Sequence, residues 1–369
     1  MSTLKRVIVA MSGGVDSSVA ALLLKQKGYE VLGITMKLWE YKDVGGNIRN
    51  DSGCCSIDAV FHAKAVCSQL NIPHYTLDYT KIFGERVISN FIDEYLHGRT
   101  PNPCVLCNMT VRWEALFQLS LELDADAYAT GHYALVDYDS SSQRYALRRG
   151  LDEKKDQSYV LWGLTQEQLA RTLFPVGSFT KKEVRALAAL KDVPTATIPD
   201  SQEICFVADQ DYGRFLDEQI KGLKEKVADG PIVDSEGKQI GTHQGYPFYT
   251  IGQRKGLGIA LGKPSFVYDI NPATNTIFVG DEKLVYAKGL EATQVNWVSI
   301  PEPDHPIHVE AMIRYKDPGY PATVYPESRN RVRIIFDEPR KAITPGQSAV
   351  WYQDNTLIGG GIIERRMNK

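Results

Sequence analysis

A chain of 369 residues, 43% hydrophobic and 24% charged, has the make-up of an ordinary globular protein of roughly two or three domains. That balance excludes collagen-like and wholly disordered chains. A formal net charge of −3 argues against a surface coated in non-specific nucleic-acid affinity, so DNA is not an expected partner. The early apolar run Val7–Met11 is too short for a signal-peptide core, and no stretch approaches the ~20 apolar residues of a membrane helix. A cytoplasmic protein with no membrane partner is expected. Six unevenly spaced cysteines do not form a disulfide framework.

Along the chain, Val7–Met11 reads as a buried strand, Ser17–Lys27 as a helix stopped by Gly28, and Val31–Met36 as a second strand. Ser56 is placed to cap a helix with an apolar side of Val60, Ala63, Cys67 and Leu70. His74–Leu77 follows as a strand, Ile82, Val87, Phe91 and Tyr95 mark a further helix, and Asp126–Thr130 another short strand. Strands separated by helices imply parallel pairing with crossovers, hence a doubly wound α/β domain over residues 1–204. From about residue 230 the texture changes to short β-branched and aromatic runs: Phe266–Ile270, Ile277–Gly280, Val332–Phe336 and Ala349–Tyr352. These predict a small middle domain over 205–280 and a β-rich, barrel-like domain over 281–369.

Directly after the first strand stands Ser12-Gly13-Gly14-Val15-Asp16-Ser17-Ser18, and then a helix. Two glycines let the chain turn tightly, successive N–H groups can converge on an anion, and the helix N-terminus adds a positive dipole end. No Gly-Lys-Ser/Thr follows, so this is not the phosphate loop of kinases. A second stretch, Thr100-Pro101-Asn102-Pro103-Cys104-Val105-Leu106-Cys107-Asn108, holds a Cys-x-x-Cys pair. It reads as half a zinc site, a redox pair, or a reactive thiol with a neighbour. A closed zinc site needs four ligands, and no second such pair exists. A third stretch, Ile198–Phe206, sets Cys205 beside polar residues. Cys67, Trp39, Trp113 and Trp162 read as packing residues, His305 and His308 as surface, and Arg331 and Arg333 as solvated strand charges.

Ser-Gly-Gly-Val-Asp-Ser after an N-terminal strand resembles the pyrophosphate-loop ATPases, among which are carboxylate-amidating ligases and RNA-thiolating enzymes. Further motifs choose between them: Met36, Gly53-Cys54-Cys55-Ser56, Gly131-His132-Tyr133, Lys155-Asp156-Gln157-Ser158-Tyr159, the segment ending in Cys205, Tyr249–Gly258, Arg314-Tyr315 and Pro345-Gly346-Gln347. Through nearly its whole length the chain resembles the bacterial tRNA-specific 2-thiouridylases. The resemblance implies a pyrophosphate-loop domain that binds ATP, with magnesium, through Ala10, Met11, Ser12, Gly13, Gly14, Val15, Asp16, Ser17, Met36 and Gly131. It implies tRNA contacts at Asn102, Pro103, Cys104, His132, Lys155, Asp156, Gln157, Arg314, Tyr315 and Gln347. The implied chemistry is adenylation of the C2 oxygen of a wobble uridine, then its replacement by sulfur. Cys205 would carry a persulfide received from a donor protein, and Cys107 would be the nucleophile that resolves it through a transient disulfide. The family's aspartate three residues before the nucleophile is Cys104 here, and an unperturbed thiol is a poorer acid than a carboxylic acid. Cys104, Cys107 and Cys205 as thiolate ligands of an iron–sulfur cluster form the second-ranked alternative.

Overall fold

The computed structural model describes residues 5–40, 57–200, 204–207, 209–259, 264–327 and 330–368. The Ser56 cap and the Cys54-Cys55 pair lie outside the described residues. Strands β1 (Arg6–Ala10), β2 (Glu30–Lys37), β3 (His74–Asp78), β4 (Ala127–Ala129) and, later in the chain, Thr172–Leu173 form a parallel sheet, with β1 central between β2 and β4. The alternation within β1 shows why both faces are covered. Val7 and Val9 pack with α1 (Val15–Gln26), the helix Ile57–Gln69 and the helix Lys181–Leu190, whereas Ile8 packs with Phe83, Phe91, Trp113 and Tyr128 on the other side. Successive strand residues point to opposite faces, so an all-apolar strand is buried twice over. The doubly wound expectation holds. Gly28 ends α1 in a left-handed conformation at φ 82°, as a helix stop requires.

A hairpin here was not foreseen. The chain leaves the parallel sheet after β4 as an antiparallel hairpin, β5 (Ala134–Asp139) and β6 (Arg144–Arg149). Strand β6 adds to the last strand of the C-terminal barrel, with Leu147 opposite Leu357 and Arg148 opposite Thr356. The parallel strand Thr172–Leu173 is then β7. Next, β8 (Gly230–Val233), β9 (Gln239–His243), β10 (Phe266–Asn271) and β11 (Thr276–Gly280) form a four-stranded sheet in the order β10-β11-β8-β9. Its core holds Ile232, Val267, Ile277 and Val279. The barrel follows: β12 (Tyr286–Trp297), β13 (Ile307–Met312), β14 (Tyr320–Glu327), β15 (Arg331–Lys341), β16 (Ser348–Gln353) and β17 (Thr356–Met367) run β12-β15-β14-β13-β16-β17 and close through β12–β17 pairing. In β15, Val332, Ile334 and Phe336 face the barrel core while Arg331 is exposed. Arg333 lies over the Tyr325 ring and beside Glu327. This is the half-buried strand its alternation predicts.

The tryptophans are packing residues, as expected. Trp113 is fully buried and donates Nε1–H to Thr172 Oγ1 at 3.0 Å. Trp162, also fully buried, donates to Ser348 Oγ at 3.0 Å across the seam between the first domain and the barrel. A Cβ on Gly360 would stand 2.5 Å from that indole, so only glycine fits there. His305 and His308 are exposed. Burial pushes the Cys67 thiol up to about 11, which keeps it protonated in the core. Trp162→Ala should cost about 3–5 kcal/mol, read as a lower midpoint in denaturant; a loss below about 1 kcal/mol would show that the seam contributes little.

Candidate functional site

The loop between β1 and α1 opens at the carboxyl end of the parallel sheet. Gly13 takes φ 74°, and a Cβ there would lie 2.3 Å from the carbonyl oxygen of Ala59. No other residue fits that approach without moving the neighbouring helix. The turn is tied by its own hydroxyls: Ser17 Oγ donates to Gly14 O (3.1 Å) and accepts from Ser12 N (3.2 Å), and Ser18 Oγ donates to Gly14 O (2.8 Å). Gly131, just after β4, packs on the same turn, where a Cβ would meet Ser17 N at 2.5 Å. The N–H groups at the start of α1 thus face a space whose walls are preset.

That space is a cavity of about 960 Å³. Ala10, Met11, Ser12, Gly13, Gly14, Val15, Asp16, Ser17, Met36 and Gly131 all line it, as do Cys104, Cys107 and Cys205. Of the residues the resemblance assigns to tRNA, Asn102, Pro103, Cys104, His132, Lys155, Gln157 and Tyr315 reach the same lining. Tyr315 and Lys316 arrive on the turn between β13 and β14, so the barrel supplies part of the wall. Asp156, Arg314 and Gln347 stand outside the lining. The Asp156 carboxylate accepts from Gly150 N, Ser158 N and Ser158 Oγ within its own turn, and burial pushes its carboxyl up. Arg314 is exposed on the Tyr315 turn. The Gln347 amide donates to the carbonyls of Thr100 (2.9 Å) and Pro101 (3.0 Å), so that side chain grips the approach to the cysteine helix.

The cysteine helix starts with a cap: Asn102 Oδ1 accepts from Val105 N at 3.3 Å, and Pro103 follows where no N–H is needed. Cys104 is exposed and Cys107 buried on this helix, while Cys205 is half-buried. After Cys107 the helix widens into a π-helical turn, Asn108–Arg112, where Asn108 Nδ2 donates to Val160 O at 3.0 Å. Among the described residues no group of three or more His, Cys, Asp or Glu side chains is placed to hold a metal ion. The three cysteines share a cavity but not a ligand geometry. As placed, they do not fit an iron–sulfur cluster.

Residues that sequence reasoning did not assign dominate the electrostatics. Lys181 Nζ lies 2.8 Å from both carboxylate oxygens of Asp16 and 2.8 Å from Asp200 Oδ1. Asp200 also meets Lys155 Nζ (2.6 Å) and Arg185 (2.7 Å), and Tyr133 Oη donates to Asp16 at 2.8 Å. Burial, with Asp16 beside it, pushes the Tyr133 phenol up and keeps it a donor. Burial also opposes ionisation of Asp200, but hydrogen bonds and charge from Lys155 and Lys181 outweigh it and hold the carboxyl well below the usual range. The signal for Lys181 was only a helix start: Thr180 and Glu183 form a reciprocal capping box around it.

Strand, glycine-serine loop and helix, with three cysteines lining the loop's cavity and two β units following, define an α/β protein with two appended β domains. A family model described as the tRNA methyl transferase HUP domain matches residues 5–209. Models of the tRNA methyl transferase PRC-barrel domain and the aminomethyltransferase beta-barrel domain match 215–281 and 287–363. The chain is 50% identical to the tRNA-specific 2-thiouridylase MnmA of Salinibacter ruber, over 98% of this chain and 95% of that one. It is 47% identical to the protein of the same name from Clostridioides difficile, over 98% and 99%, and 49% identical to that of Carboxydothermus hydrogenoformans, over 98% of each. The chain belongs to the tRNA-specific 2-thiouridylase MnmA family.

The depressed Asp200 carboxyl has a pH signature. A carboxyl whose folded value lies below its unfolded value, about 3.9, stabilises the fold above that value and loses the contribution as pH falls toward the folded one. Asp200→Asn should therefore lower the melting temperature at neutral pH, with the gap to wild type narrowing below about pH 4. A gap constant across that range would refute the assignment.

Proposed function

We propose that this protein is a tRNA-uridine 2-sulfurtransferase that uses ATP to replace the C2 oxygen of a wobble uridine by sulfur, releasing AMP and pyrophosphate. The observation that carries the reading is that the glycine-serine loop and the cysteines Cys107 and Cys205 line one cavity. The names of the relatives support the same substrate class. Of the three domains expected at 1–204, 205–280 and 281–369, the first would hold ATP and the last would meet tRNA with the Arg314-Tyr315 turn. No helix of the described residues is long and apolar enough to cross a membrane.

The phosphates of ATP would lie on the N–H groups of Ser12–Ser17 and the start of α1, where backbone dipoles favour negative charge. Magnesium would come with the phosphates as their counter-ion and screen them. Met36 and Gly131 would frame the nucleoside. The C2 oxygen of the uridine attacks the α-phosphorus, pyrophosphate leaves, and AMP then occupies the oxygen to be lost. A persulfide on Cys205, delivered by a donor protein, attacks C2 through its terminal sulfur and expels AMP. The Cys107 thiolate next attacks Cys205 Sγ, and the Sγ–S bond breaks so that sulfur and its electron pair stay on C2. The resulting Cys107–Cys205 disulfide needs two electrons from a thiol reductant to reset. His132, held by Thr130 Oγ1 at 2.9 Å, Gln157 and Tyr315 stand where the displaced base would enter. Cys104 replaces the family's aspartate and is given no acid–base role.

The test is reconstitution with tRNA transcript, ATP, magnesium and a persulfide donor, followed by nucleoside mass spectrometry. Wild type should form 2-thiouridine at the wobble position, and Cys107→Ser or Cys205→Ser should form none while still binding ATP. Full product in either variant would contradict the relay. AMP release that depends on a small carboxylic acid rather than tRNA would replace the whole reading with that of an amide-forming ligase.

A further inference from the structure

Of the three cysteines that line the cavity, Cys104 alone has no task in the sulfur relay. It lies in the helix Pro103–Cys107, three residues before Cys107. A rise of about 1.5 Å per residue and a radius of about 2.3 Å put Cα atoms three apart on an α-helix about 5 Å from one another. Disulfides join Cα atoms about 4.4–6.8 Å apart, so these two thiols can close on each other without moving any other element. Their surroundings differ. Cys107 is 6% exposed and belongs to the apolar cluster that holds Val105, Val111 and Phe206. Cys205 is half-buried and packs against the same cluster. Cys104 is exposed. It stands near the Tyr315 phenol that the barrel turn brings in, which is pushed up by burial, then by Asp156 and Cys104. Tyr315 is itself 37% exposed, so this thiol and its neighbour face solvent where the other two sulfurs are covered. Thiol–disulfide exchange needs a thiolate to meet one of the bonded sulfurs, and a bond between Cys107 and Cys205 offers an outside reductant little to meet. Cys104 needs no entry: a thiol tethered three residues away acts at an effective concentration on the order of millimolar.

We propose that Cys104 is the thiol that resets the relay: it opens the Cys107–Cys205 disulfide from within and presents the oxidised pair to solvent. The inference rests on the reading above that each turnover leaves Cys107 joined to Cys205. The Cys104 thiolate, its proton given to water, attacks Cys107 Sγ. The Cys107–Cys205 bond breaks, its electron pair goes to Cys205 Sγ, and a Cys104–Cys107 bond forms. The chain neither gains nor loses electrons in this exchange. Cys205 is again a thiol, open to the next persulfide. A dithiol reductant then attacks the exposed Cys104 Sγ, and Cys107 leaves as a thiolate. The reductant's second thiol displaces Cys104 as the reductant closes to its own disulfide, so two electrons pass to the chain. An aspartate, which the family carries at this position, has no sulfur to exchange, so the step belongs to a chain with cysteine there.

The experiment uses the full chain in two arms. In the first, reduced protein is held in oxidised glutathione without tRNA, quenched in acid, blocked with iodoacetamide and mapped by peptide mass spectrometry. Wild type should hold a Cys104–Cys107 bond, Cys205→Ser should form the same bond, and Cys104→Ser should shift to Cys107–Cys205. A Cys107–Cys205 bond in wild type, or no Cys104–Cys107 bond in Cys205→Ser, overturns the proposal. In the second arm one turnover with tRNA transcript, ATP, magnesium and a persulfide donor, without reductant, is trapped in the same way. Wild type should show the Cys104–Cys107 bond and iodoacetamide label on Cys205. Cys104→Ser and Cys104→Asp should show Cys107–Cys205 and lose that label. A Cys107–Cys205 bond that persists in wild type overturns the reset step alone. 2-Thiouridine made with Cys107 in no disulfide in any of these proteins overturns the relay and the reset together.

Discussion

Two adjacent barrel residues, Gln347 and Ser348, hold the cysteine helix from both ends, and the site depends on that grip. Upstream, the Gln347 amide donates to Thr100 and Pro101 just before the Asn102 cap. Downstream, Ser348 accepts from Trp162 through its hydroxyl and from Tyr159 Oη at 2.8 Å through its carbonyl. Trp162 and Tyr159 fix the turn in which Val160 O receives the Asn108 amide, one residue beyond Cys107. Nearly all these groups are buried, and a buried donor left unmet costs about 1–3 kcal/mol. The barrel is therefore more than an appended unit. It sets the position of the thiols in the domain that precedes it.

The parallel sheet explains why the loop and the cysteines meet at all. From β1 the chain moves outward to β2 and β3, then returns to the other side of β1 as β4. Strand order reverses there, and the loops leaving β1 and β4 diverge, which opens a crevice beyond their carboxyl ends. The glycine-serine turn leaves β1 and Gly131-His132 leaves β4, so the two meet across that crevice. The β5–β6 hairpin starts three residues past Gly131 and crosses to β17. It brings the barrel, and with it Tyr315, over the opening.

Much of this was legible in the residues, and what was not has definite causes. The apolar runs of β1 and β2 and the helical spacing of Phe91 and Tyr95 are local signals, and the structure follows them. The β5–β6 hairpin was missed because Asp137, Asp139 and Arg148 present a polar face, and the pairing that stabilises it comes from Leu357, more than 200 residues on. The π-helical turns Gly84–Ile88 and Asn108–Arg112 arise from packing that adds a residue per turn, with Arg86 donating to Thr110 O at 2.6 Å, and no spacing reveals them. The phosphate loop was readable because glycine, serine and aspartate act within one turn. Lys181 was not, because its meaning lies in Asp16, 165 positions away.

Burial also bears on how the thiols would divide the work of the proposed relay. Cys104 and Cys107 are three residues apart and share a helix face, yet Cys104 is exposed and Cys107 is covered by its surroundings. A thiol that accepts sulfur from another protein must be reachable from outside the cavity, and one that acts only after the base is bound gains from being shielded until then. Cys205 is half-buried, which would suit the accepting role in the proposed relay. Cys107, buried, would suit the resolving one. Exchange of these roles would require a donor to reach a thiol that is 6% exposed while leaving the more accessible one idle.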